Sequence, residues 1–136
     1  MKKISLVLIL CLILSFGMSV VVSAEEYNIN PRLNNAIFCE RSFNISNDIA
    51  YATVEINGKS GVLSRTTVKV SIEKRALLGL WWKEEASWET STTETNPVIE
   101  FSKEVKSGTY RCNFEITIEG TGGSADVITD QLTVTN

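Results

Sequence analysis

The 136-residue sequence contains no histidine, and this absence excludes several kinds of chemistry at once. Ser-His-Asp triads, zinc sites with histidine ligands and the usual proton shuttle near neutral pH all need an imidazole. A cysteine nucleophile would likewise have no histidine to activate it. We therefore expect no enzymatic activity, no catalytic residue and no cofactor.

Basic residues are also in deficit, with 13 Lys+Arg against 16 Asp+Glu and a net charge of -3. Nucleic-acid binding needs clustered Lys and Arg, so this balance argues against it. The length fits one domain, since domains usually have roughly 100–150 residues. We predict a single compact domain that does not bind nucleic acid.

The first 24 residues have the pattern of a secretory signal peptide. Lys2 and Lys3 precede an apolar run over 4–22, and Val22-Ser23-Ala24 ends it with small residues where a signal peptidase cleaves. An uncleaved membrane anchor is the alternative, because such a run could nearly span a bilayer. We predict cleavage after Ala24 and release of the domain 25–136 into the medium. Contact with a membrane is then expected only through the signal peptide, before cleavage.

The number of cysteines after removal of the signal peptide agrees with export. Cys11 lies inside the predicted signal peptide and leaves with it, so Cys39 and Cys112 remain. An even number of cysteines in an exported chain predicts a disulfide, here Cys39–Cys112. Two buried free thiols or an intermolecular bridge are the alternatives.

Apolar residues alternate with polar ones through most of 25–136. This period of two, bounded by Gly, Asn, Ser and Pro, is typical of half-buried antiparallel strands. About seven such strands, each with one apolar face, must pack as two sheets. We predict an all-β fold, an antiparallel β-sandwich of immunoglobulin type, with a small closed barrel as the alternative. The runs lie at 50–56, 68–72, 82–88, 99–105, 110–118 and 128–134, with a weaker one around Ile37-Phe38-Cys39.

One short motif favours the immunoglobulin-like sandwich. Tyr110 lies two residues before Cys112, just after the turn at Ser107-Gly108. This is the tyrosine-corner arrangement, in which the hydroxyl fixes the upstream loop. Cys39 departs from the antibody pattern, because it precedes the first clear strand instead of lying in the second.

Several short stretches carry a family resemblance: Gly58-Lys59-Ser60, 67–72, Trp82, Ser87-Trp88 and Gly108-Thr109-Tyr110-Arg111. Through them, much of the chain from Asn30 to its last residue resembles a group of small, uncharacterised secreted proteins of Gram-positive bacteria. That group is similar to immunoglobulin-like sandwiches, so the resemblance implies the same fold and an extracellular location. It implies no catalytic or binding residue.

The tryptophans give the one indication of a contact surface. Adjacent strand residues point to opposite faces, so Trp81 and Trp82 cannot both enter the core of a regular strand. Trp82 shares its parity with Trp88, and we expect both, with Tyr110, to be structural core residues. Trp81 then becomes a candidate surface contact that stacks on a sugar ring or anchors a protein. A bulge near Gly79 that buries both rings is the alternative.

The acidic residues give no strong site. Asp126 and Asp130 lie near a Gly-rich turn, but they lack a recognisable calcium-ligand loop. Glu115 and Glu119 have the outward parity of their strand, which is typical of a solvated face. We therefore predict no metal site.

These observations together predict a secreted, non-enzymatic binding or interaction module of a Gram-positive bacterium. Its partner would be an unknown protein or a cell-surface glycan. The alternative is a small secreted effector, a toxin or enzyme inhibitor, that acts on neighbouring cells.

Overall fold

Two packed antiparallel sheets form the fold of residues 32–136, the part of the chain that the computed structural model describes. One sheet has the strand order β1-β2-β5 and the other β4-β3-β6-β7. The chain is thus an all-β, immunoglobulin-like sandwich, and the closed barrel is excluded because the strands form two separate sheets. The predicted signal peptide lies outside the described residues. The strands are β1 (Ala36–Ser46), β2 (Ile49–Gly58), β3 (Leu63–Arg75), β4 (Trp82–Thr92), β5 (Val98–Glu104), β6 (Thr109–Gly120) and β7 (Asp126–Thr135).

The core lies between the two sheets and comes from the alternating apolar positions. β2 and β3 contribute β-branched residues, which suit a pleated, half-buried surface, and β6 adds Phe114. Removing this apolar area from water is the main force that holds the sheets together. The inward side chains that lose almost all solvent contact include Val54, Ile56, Val68, Val70, Ile72, Phe114, Ile116 and Ile118.

Several connections meet at one end of the sandwich. Asn47 and Asp48 form the two-residue turn between β1 and β2, with φ of 51° and 59°. Positive φ at both positions is what a type I′ hairpin requires, and Asn and Asp tolerate it. The Val105 N–H, after β5, donates to the Asp48 carbonyl at 2.9 Å. The short connection from β5 to β6 contains Val105, so β6 starts at this end. Lys74, near the end of β3, pairs with Tyr110 near the start of β6, so the β3–β4 connection lies at this end too.

A β-bulge interrupts the pairing of β3 with β4. Ile72 pairs with Ala86, but the next β3 residue, Glu73, pairs with Glu84, so Glu85 is an extra residue in β4. One extra residue reverses which face the side chains occupy. The β4 residues before the bulge therefore lie on the opposite face from the one their parity with Trp88 predicts.

Candidate functional site

Three large apolar side chains are exposed close together in the connection between β3 and β4. Leu78, Leu80 and Trp81 are 88%, 73% and 58% exposed. We call these three residues the apolar tip. Isolated exposed apolar residues are common on soluble proteins, but several on one short loop are a feature of contact surfaces.

Hydrogen bonds hold the backbone of this loop. The Ala76 N–H donates to the Trp81 carbonyl, and the Gly79 N–H donates to the Ala76 carbonyl, both at 2.9 Å. Gly79 has φ of +67°, and a Cβ there would lie 2.7 Å from Nε of Arg75. The positive φ is what favours glycine at this position, because the flexible Arg75 side chain could move away from a Cβ. The apolar tip is presented by a defined turn at Leu77–Gly79.

Leu78 has an unusual backbone conformation for a large side chain. Its φ is 66° and its ψ is 6°, in the left-handed region that turns normally give to glycine. An L-residue there costs roughly 1–2 kcal/mol. Its side chain is also the most exposed of the three, so packing does little to offset this cost. Such backbone strain is characteristic of functional sites.

Trp82 does not lie in the core, and the structure corrects this expectation. The bulge at Glu85 places Trp82 opposite Arg75, on the outer face of the four-stranded sheet, where its ring is half-buried. The guanidinium carbon of Arg111 lies 4.5 Å from the ring centroid, a cation–π distance. Arg75 approaches the same ring at 6.0 Å.

Arg111 also donates to Glu73, which makes a part-buried ion pair on this face. The hydrogen bond from Arg111 lowers the pKa of the Glu73 carboxyl, and a second one from Asn113 at 2.8 Å acts in the same direction. Nδ2 of Asn113 also lies 3.1 Å from Oγ of Ser71, and its Oδ1 accepts from Gln131 at 2.6 Å. The outer face therefore carries a connected polar network across β3, β6 and β7.

A shallow groove of about 760 Å³ lies over this network. Short side chains make its floor, because Ser71 of β3 pairs with Ser87 of β4. Lys69 and Glu115, which form an ion pair at 3.6 Å, also line it. The groove offers hydroxyl and amide groups, and two of the charged side chains that line it, Lys69 and Glu115, are paired with each other.

Trp88 and Tyr110 take structural positions. Trp88 packs against the edge of the core and stacks on Phe101, with ring centroids 5.4 Å apart, so it joins β4 of one sheet to β5 of the other. Tyr110 is buried, and its hydroxyl donates to the Lys106 carbonyl at 2.7 Å and accepts from the Lys106 N–H at 3.1 Å. This is the geometry of a tyrosine corner.

The predicted disulfide is not present in the structure, which has Cys39 and Cys112 as buried free thiols. Burial raises the pKa of Cys39 to about 11 and that of Cys112 to about 12. Antibody domains bridge their second and sixth strands. Here the second strand fills its core positions with residues such as Val54 and Ile56, and Cys39 lies on the edge strand β1 instead.

The two aspartates near the Gly-rich turn have structural partners. The Asp126 carboxylate accepts the N–H groups of Asn34 and Asn35 at 2.6 and 2.7 Å. Asp130 forms an ion pair with Arg41 at 2.9 Å. Within residues 32–136, no three His, Cys, Asp or Glu side chains come together as candidate metal ligands. The same residues contain no helix long and apolar enough to cross a membrane.

Sequence reasoning named Trp81 but missed Leu78 and the Arg111–Trp82 contact. Leu78 could have been found from the sequence, because the apolar stretch around Gly79, between Arg75 and Lys83, is too long for an ordinary turn. The Arg111–Trp82 contact could not be found from the sequence, because it depends on the bulge. No protein-family model and no curated protein matches the chain.

Proposed function

We propose that this protein is an exported, non-enzymatic binding module that contacts its target through the apolar tip. The observation that carries the proposal is the exposure of Leu78, Leu80 and Trp81 on one hydrogen-bonded turn. A large aliphatic or aromatic side chain gains roughly 1.5–3 kcal/mol when it moves from water into an apolar environment. Three such side chains on one loop can therefore provide most of a useful affinity.

The sandwich supports this role because it holds the loop rigidly. β3 pairs with β4 on one side and β6 on the other, and its inward residues are fully buried. Binding residues commonly lie on loops that a rigid scaffold positions. The strained conformation of Leu78 supports the same role, because a leucine at a glycine-favouring position lowers the stability of the fold.

Export is part of the proposal. The charge, apolar run and small residues of 1–24 support a secretory signal, and the resemblance to small secreted proteins of Gram-positive bacteria supports the same compartment. The lack of any histidine supports a non-enzymatic role. The partner would be a component of the bacterial cell surface.

The test compares binding of the labelled protein to intact Gram-positive cells. We expect Leu80→Ser/Trp81→Ser to reduce binding strongly while the unfolding midpoint stays unchanged. Val98→Ser/Val127→Ser is the matched control, because these residues are 67% and 65% exposed but lie away from the tip. Absent binding, or equal binding by both variants, would contradict the proposal. Growth arrest of the cells would instead support the toxin alternative.

A further inference from the structure

Cationic residues lie directly behind the apolar tip. In the ladder of β3 and β4, the first pair after the tip is Arg75–Trp82 and the second is Lys74–Lys83. We call Lys74, Arg75 and Lys83 the basic collar. The first acidic pair is one step further from the tip, and its Glu73 is neutralised by Arg111.

The collar contrasts with the rest of the chain. The sequence as a whole is acidic, with 16 Asp+Glu against 13 Lys+Arg. Of the nearby acidic residues, Glu84 and Glu85 follow Lys83 in β4, whereas Asp48 and Glu104 belong to the three-stranded sheet and its β1–β2 turn. The end of the four-stranded sheet at the β3–β4 connection therefore combines exposed apolar residues with three cations.

The residues are also layered along the loop. Leu78 and Leu80 are the most exposed, Trp81 is less so, and Trp82 and the collar follow at the end of the sheet. Aliphatic side chains at the turn, then indole, then cations at the strand ends is the order in which a bilayer accepts them. Leucine enters the acyl region, tryptophan prefers the boundary, and Lys and Arg pair with anionic headgroups.

We infer that the target of the apolar tip is an anionic lipid membrane, into whose interface Leu78, Leu80 and Trp81 insert. This inference rests on the proposed function and names its partner. A protruding tip needs no complementary pocket in a lipid surface, and the collar supplies the charge that such a surface attracts. The sequence had indicated membrane contact only through the signal peptide, so this is a second, separate contact.

Tryptophan fluorescence tests the inference in the full chain. The three tryptophans all lie in the described residues, so the apolar run 4–22 contributes no signal. We expect vesicles of phosphatidylglycerol and brominated phosphatidylcholine to quench the fluorescence, and Trp81→Phe to remove most of the quenching. Leu78→Ser/Leu80→Ser should raise the lipid concentration for half-maximal quenching more than about tenfold. Val98→Ser/Val127→Ser should leave it unchanged.

Charge variants test the collar separately. Lys74→Gln/Lys83→Gln should require about 30-fold more lipid, since each cation near an anionic surface contributes about 1 kcal/mol. Arg32→Gln/Arg65→Gln, which removes two exposed charges elsewhere, is the control and should change little. Absent quenching, or equal quenching by tip and control variants, would overturn the inference. Tip-dependent cell binding without quenching would overturn it too, but would leave the proposed function standing with a protein or glycan target.

Discussion

Arg111 lies over the indole ring of Trp82 and donates to the Glu73 carboxylate at the same time. The three side chains come from three adjacent strands, β6, β4 and β3, so the cluster joins them on the outer face of the sheet. Trp82 therefore adds to stability through a surface cation–π contact, and the energetic ranking of the tryptophans follows from where each one lies.

Replacing Trp88 should cost more stability than replacing Trp82. Trp88→Ala removes a ring that packs against the core and stacks on Phe101, so we expect a loss of about 3 kcal/mol. Trp82→Ala should cost about 1–2 kcal/mol, because its ring is half-buried on the outer face. Trp81→Ala, on the exposed tip, is the control and should cost less than about 1 kcal/mol. Urea unfolding measures all three, and equal losses for Trp82→Ala and Trp88→Ala would contradict this order.

Glu73 should make stability depend on pH in the acidic range. Its pKa is lower in the folded protein than in the unfolded chain, chiefly because Arg111 donates to it. The stabilisation is therefore present above the unfolded pKa and is lost as the pH falls through the folded pKa. We expect Glu73→Gln to lower the free energy of unfolding at pH 7 by up to about 1 kcal/mol and to make its acid dependence shallower. Glu100→Gln, at an exposed position of β5, should preserve the wild-type slope; a slope unchanged in both variants would refute the role of Glu73.

Leu78→Gly should separate stability from binding. Glycine adopts a φ of 66° without steric cost, so the free energy of unfolding should stay level or rise by up to about 1 kcal/mol. Binding to cells or vesicles should weaken, because the most exposed apolar side chain is gone. Leu80→Gly is the matched control: Leu80 has an ordinary φ of -85°, so the same deletion should lose about 0.5–1 kcal/mol of stability. A large loss of stability in Leu78→Gly would show that the side chain has a structural role.

Cys39 and Cys112 should resist alkylation in the folded protein and react once it unfolds. Both thiols are buried, and their raised pKa values keep them protonated at neutral pH. We expect mass spectrometry to find no added label under native conditions and two labels per mature chain in guanidinium chloride without reductant. No label after unfolding would show that exported protein contains the disulfide that the sequence predicted.

The alternation of apolar and polar residues predicted most of the fold. The predicted runs at 68–72 and 110–118 lie within β3 and β6. β4 extends to Thr92, four residues beyond the predicted run at 82–88. Such strands can be predicted from short segments, because a strand with one apolar face is recognised from its own residues.

The candidate site was predicted less well. The exposure of Trp81 was expected from its parity with Trp82, but that parity is reversed by the bulge at Glu85. Trp81 is exposed for another reason: it precedes β4 and belongs to the turn beyond the end of the sheet. Parity counts cannot detect a bulge, because the extra residue is defined only by the pairing with the neighbouring strand.

Residues close together in the chain were enough to predict most of the strands, the apolar faces of β3 and β6, and the tyrosine corner at Tyr110. Three relationships are visible only in the folded protein: β4 joins β3, Trp82 meets Arg111, and Lys74 and Lys83 lie side by side behind the tip. Those relationships depend on strand register, which hydrogen bonding and packing across the whole sheet fix together.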